Sequence, residues 1–136
     1  MAIDPVDDAP VGDAEPLIRK FQKELTAGLT ALVLLSVLAE TEGDLYGYEI
    51  AKRLSGDAAP ASPFKQGALY PVLRNLSAAG LLSSRVVPSY AGPPRRYYRI
   101  TPLGRDVLKS WCATWTETRS FVDSIVKTTT AGEATP

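Results

Sequence analysis

Histidine is absent from the 136 residues, and cysteine occurs once, as Cys112. Without histidine the commonest general base and nitrogen ligand is gone, so neither a His-based catalytic site nor a zinc site can be assembled. A lone thiol forms no internal disulfide, and Cys112 reads as a small buried residue rather than a redox sensor. There is no glycine-rich phosphate loop and no carboxylate cluster beside a nucleophile. No reaction class comes together, and no cofactor or metal is implied. The longest apolar run, Ala31 to Ala39 (ALVLLSVLA), falls far short of the roughly 20 residues that cross a bilayer, and no secretory signal pattern opens the chain. These absences lead to the expectation of a cytoplasmic binding protein with no membrane partner.

Acidic side chains are also missing from one long stretch. Lys and Arg together number 15, as do Asp and Glu. Yet between Ala58 and Arg105 no acid occurs, while Lys65, Arg74, Arg85, Arg95, Arg96, Arg99 and Arg105 all do. Asp4, Asp7, Asp8, Asp13 and Glu15 crowd the amino-terminal end. A basic middle flanked by acidic ends is either a solvated positive face or the footprint of a nucleic acid.

Residues 1–16, rich in Asp, Ala and Pro, have the composition of a disordered acidic tail, and residues 128–136 read the same way. From Leu17 to Glu40 no proline interrupts, and the helical apolar pattern becomes continuous toward Leu38, as expected of a helix that enters a core. Gly43 stops it, and Tyr46, Ile50 and Leu54 give a short second helix from near Tyr46. Ser62 and Pro63 are placed to cap and open a third helix, with Leu69, Val72 or Leu73, and Leu76 inward and Gly80 at its end. Pro71 inside that helix removes one backbone bond, so a tight, 3₁₀ or irregular first turn is expected. Leu82 to Val87 and Arg95 to Thr101 then read as two strands joined by the loop Pro88 to Pro94. Thr101-Pro102 caps a last helix running to about Lys127. The order predicts a mainly α fold with a small β-hairpin: a winged helix-turn-helix over residues 17–101, plus a C-terminal dimerisation helix over 102–127.

Four blocks in this order, "LTALVLLSVLAE", "LYGYEIAKRL", "GALYPVLRNLSAAGLL" and "GPPRRYYRITPLGRDVL", resemble the PadR family of bacterial winged-helix transcriptional regulators, over roughly Glu24 to Val126. The single C-terminal helix is similar to the smaller PadR subfamily. The resemblance implies a homodimer that binds a pseudo-palindromic operator in double-stranded DNA, usually as a repressor, and is released by a small-molecule effector.

A recognition helix reads the major groove through its amino-terminal half, here Phe64 to Tyr70. Lys65 suits guanine or phosphate, Gln66 suits adenine, and Gly67 lets the backbone come close. Tyr70 and Arg74 face phosphate oxygens, or Tyr70 packs; the pattern leaves both open. Tyr46 is placed to touch phosphate, while Tyr48 and Ile50 read as packing residues. In the wing, strand alternation sends Arg95 and Arg96 to opposite faces, so one is expected at the minor groove and the other on phosphate.

On the last helix Leu108, Trp111, Trp115, Thr118, Val122 and Ile125 follow three-four spacing, a seam that pairing across a two-fold axis would bury. In multidrug-sensing relatives a ligand stacks between aromatic residues at the dimer interface. By that resemblance Trp111 and Trp115 line a pocket for a small aromatic or hydrophobic effector; otherwise they only pack the dimer. A different class of function stays in view: a winged-helix ligand-sensing or protein-interaction module without DNA binding.

Overall fold

The computed structural model describes residues 12–56 and 59–134, with side chains described as far as residue 127. Helix α1 spans Ala14–Glu40. It starts ahead of the expected Leu17 because the Asp13 carboxylate accepts a hydrogen bond from the Glu15 amide at 3.1 Å, capping the first turn. Ala14, Glu15 and Pro16 are therefore helical rather than part of a tail; residues 1–11 of the expected tail lie outside the described residues. By length and composition α1 would suit a bilayer span, and 22% of its apolar window is buried inside the protein. Leu34, Leu35 and Leu38 are fully buried, and Arg19, Lys20, Lys23 and Glu24 ring the exposed first half.

A two-residue strand, β1 (Leu45–Tyr46), leads into α2 (Gly47–Leu54). This strand is absent from the sequence reading, because two residues carry no periodicity. It pairs antiparallel with β3 (Arg95–Ile100), which also pairs with β2 (Leu82–Val87), giving a three-stranded sheet in the order β1-β3-β2. The register sets Tyr46 opposite Tyr97, Arg85 opposite Tyr97 and Ser84 opposite Tyr98.

Helix α3 spans Gln66–Ala78, beginning three residues later than Ser62 and Pro63 suggest. Ser62 does not cap it. The Ser62 hydroxyl donates to the Leu54 carbonyl and accepts from the Phe64 amide, and Ser55 bridges to Phe64. The chain thus stays extended along the end of α2 until Lys65, the N-cap. The far end follows expectation: Gly80, at φ +82°, closes α3, with the Leu81 amide bonded to the Leu76 carbonyl and Gly80 to Ser77.

The core gathers Leu34, Leu35 and Leu38 of α1, Ile50 of α2, Leu69 and Leu73 of α3, and Tyr98 and Ile100 of β3. Helix α4 spans Pro102–Ala134, so residues 128–134 continue the helix instead of forming the expected tail. It starts as foreseen: the Thr101 hydroxyl accepts from the Gly104 amide at 3.0 Å, with Pro102 at the first position. Gly104 itself lies against the sheet. A Cβ there would sit 2.2 Å from the Leu81 carbonyl oxygen and 2.8 Å from Ile100 Cγ1. Gly104→Ala is accordingly expected to destabilise the fold by about 1–3 kcal/mol through overpacking, seen as a lower urea midpoint; an unchanged midpoint would mean that α4 shifts away without loss.

Candidate nucleic-acid interface

The amino-terminal end of α3 is bare. Lys65, Gly67 and Ala68 are exposed, and a Cβ added at Gly67 would meet nothing within 4 Å. Gln66 is half-buried because its amide nitrogen donates to the Tyr70 hydroxyl at 3.3 Å, which orients both side chains along one side of the helix. Lys65 is the cap and Gln66 the first helical residue, so the expected reading half shortens from Phe64–Tyr70 to Gln66–Tyr70; Phe64 packs against the core.

The wing has two chemically distinct faces. On the inner face, Tyr98 is buried and Arg96 donates to the Ser84 hydroxyl at 3.1 Å. Burial pushes the Tyr98 phenol above its ordinary value, while the charges of Arg96 and Arg74 pull it down and Tyr70 pushes it up. Arg96 of the wing and Tyr70 and Arg74 of α3 therefore each lie within electrostatic reach of Tyr98.

Arg95 goes the other way. Its guanidinium lies 5.0 Å from the centre of the Tyr46 ring, a cation–π contact. Tyr46 in turn lies 5.7 Å from Tyr97 and 6.0 Å from Tyr48, and Arg85 sits 5.4 Å over Tyr97. Tyr48, read as a packing residue, is instead exposed, with its ring against that of Tyr46. Ile50 packs as expected.

Trp111 and Trp115 line an open groove of about 490 Å³ against Leu25, Gly28, Leu29 and Leu32 of α1. Of the expected seam, Leu108 and Trp111 are half-buried against the chain's own core. Trp115, Val122 and Ile125 are exposed, as are Leu17, Ile18 and Phe21 on α1. Cys112 is exposed, not buried, because it borders a solvent-open groove with Leu108, Lys109 and Ala39.

A profile described as the Transcriptional regulator PadR-like family matches residues 34–110, which takes in the core of α1, the helix-turn-helix, the wing and the start of α4. The chain belongs to the PadR family. Transcriptional regulator Rv3488 of Mycobacterium tuberculosis is 33% identical over 120 residues, 86% of this chain and 94% of that protein. The crystal structure of a PadR family transcriptional regulator from Eggerthella lenta is 30% identical, with a TM-score of 0.66, covering 84% of this chain and 96% of that one. Bacillus subtilis PadR, crystallised in complex with operator DNA, shares the fold at a TM-score of 0.53 and 23% identity, over 62% of this chain and 46% of that one. As a PadR-family transcriptional regulator the protein is not an enzyme.

Two features of this PadR chain escape the sequence reading. Tyr90, at the wing tip, is fully exposed; only its position in a proline-flanked loop hints at that. Asp44, outside the acid-free stretch in sequence, folds into it: its carboxylate oxygens accept from Arg85 Nε at 2.6 Å and Arg99 Nε at 2.9 Å. The hydrogen bond from Arg85 is the main force that holds the Asp44 carboxyl below its ordinary value of 3.8; burial opposes, and the two guanidinium charges reinforce. A carboxylate with a depressed folded value contributes stability that is present above its unfolded value and lost as pH falls through the folded one. Asp44→Asn should therefore lower stability at about pH 7 and by much less near pH 2.5, as read by urea titration of both proteins. An equal loss at both pH values would show that the charge of Asp44 contributes nothing.

Proposed function

We propose that the protein is a dimeric, sequence-specific DNA-binding repressor that a small aromatic or hydrophobic effector releases from a pseudo-palindromic operator. The observation that carries this reading is the bare amino-terminal end of α3, with Lys65 and Gly67 exposed, on a helix whose exposed Arg74 lies, like the exposed Arg96 of the wing, within electrostatic reach of Tyr98. A helix end with no side chain in the way suits the major groove, and guanidinium groups beside it suit phosphate oxygens. The bound operator in the B. subtilis relative of the same fold accords with this. Lys65, Gln66 and Gly67 then face base edges, Tyr70, Arg74 and Arg96 hold phosphate, and Arg95 with Tyr46 lies along the flank of the wing.

Dimerisation is supported by apolar surface that a monomer leaves in water. Leu17, Ile18 and Phe21 on α1 and Trp115, Phe121 and Val122 on α4 are all exposed, and a two-fold partner would cover such a set. Residues 102–127 carry that contact in this reading, with Leu108 and Trp111 holding α4 to its own domain. Function then takes place in the cytoplasm, where the operator is.

Binding-site mapping on genomic DNA is expected to return a pseudo-palindrome with half-sites about one DNA turn, roughly 34 Å, apart, occupied by two chains. Log affinity should fall linearly with log salt, and Arg96→Ala or Arg74→Ala should each lower that slope by about 0.9. No specific complex at low salt would overturn the proposal in favour of a ligand-sensing or protein-interaction module. Effectors that release the operator are expected to quench tryptophan fluorescence through Trp111 and Trp115. Release without quenching would remove the groove from the mechanism.

A further inference from the structure

The sheet has one feature that DNA binding alone does not require. Asp44 immediately precedes β1, and the ladder that sets Leu45 opposite Tyr98 places it across from Arg99. β2 lies on the far side of β3, so Arg85 must extend across the central strand, over the Tyr97 ring, to reach the same carboxylate. Both arginines use Nε, each on a different oxygen of Asp44. One carboxylate thus ties all three strands across the outer face. Among the described residues, the ion pairs made by the cations of the acid-free stretch are these two.

The clamp has two physical consequences. First, it neutralises part of the charge on Arg85 and Arg99 and holds their side chains along the sheet, on the face away from Arg96. A guanidinium that donates a charge-assisted hydrogen bond to a carboxylate must break it before that donor can turn to phosphate. Second, β1 offers only two residues to the ladder, a weak backbone attachment, yet it runs straight into α2 of the helix-turn-helix. The carboxylate adds a side-chain attachment between that unit and both strands of the wing.

We propose that Asp44 is a specificity-determining positioning residue: it holds Arg85 and Arg99 off the phosphate backbone and fixes the wing against the helix-turn-helix, so that DNA meets the α3 side of the wing. The inference rests on the DNA-binding reading above. In its absence two long cations would be free to grip any duplex, and the wing would lose a tie that sets its angle. Sequence-independent binding would strengthen while operator binding gained less or weakened, because phosphate contacts add affinity without sequence information.

The test compares full-length wild type and Asp44→Asn on an operator duplex and on a random-sequence duplex, each titrated in salt. For Asp44→Asn the salt slope on random duplex is expected to steepen by up to about 1.8, two phosphate contacts at roughly 0.9 each. The ratio of operator to random affinity is expected to fall about tenfold, with each good base contact being worth that order of discrimination. Should Asp44→Asn fail to fold, Arg85→Gln supplies the same test, because an arginine already held by Asp44 makes no phosphate contact. Its slope should equal that of wild type, whereas Arg96→Gln should lower the slope by about 0.9. Wild type that binds the operator while Asp44→Asn keeps both slope and ratio, or an Arg85→Gln slope lowered as far as that of Arg96→Gln, overturns this inference and leaves the DNA-binding reading standing. Wild type that binds neither duplex at low salt overturns both.

Discussion

The fold depends on the burial of one helical stripe, Leu34, Leu35 and Leu38 in the second half of α1. All three are fully enclosed, and α3, β3 and α4 each contact α1. Their apolar area is too large to leave in water in a chain of this size, and closing over it fixes the positions of elements that otherwise touch only at their edges. Because Leu69, Leu73 and Leu76 of α3 face that stripe, the opposite side of α3 is turned outward. The exposure of Lys65, Gly67 and Arg74 is the geometric remainder of core packing.

The same stripe explains why α1 divides into two halves with different surroundings. Its second half is the centre of a domain; its first half projects with Leu17, Ile18 and Phe21 in solvent, and its middle, from Glu24 to Leu32, forms one wall of the groove that holds Trp111 and Trp115. A single rigid rod of 27 residues, with no proline within its span after Pro16, therefore joins the aromatic groove to the seat of the reading helix.

Much of this was legible in the sequence wherever a period or a cap carried the information. The burial of α1 followed from its continuous apolar run, α4 began at Thr101-Pro102 as its cap required, and β2 was bounded by its turn residues. Alternation along β3 sent Arg95 and Arg96 to opposite faces, and the ladder places them so. What escaped was non-local or too short. Ser62 has the chemistry of a cap, but its hydroxyl is drawn to the Leu54 carbonyl, eight residues earlier in the chain, so α3 starts at Gln66. β1 exists only because β3 offers it an edge. Asp44 reaches Arg85 and Arg99 across 41 and 55 positions, a separation over which a sequence window has no reach.

The wing also shows where this protein tolerates change in length. From Arg95 to Ile100 every residue is assigned to a face by phase: Tyr98 and Ile100 inward, Arg95 and Arg99 outward. One residue added or removed inside that run would invert the phase, carrying Tyr98 into solvent and Arg99 into the core, and would cost the sheet its register. The loop from Pro88 to Pro94 carries no such phase, being outside the ladder. Chain inserted there alters how far Tyr90 stands from the body of the protein and leaves every face as it was. Reach is set by the loop and orientation by the strand, so the two can vary independently.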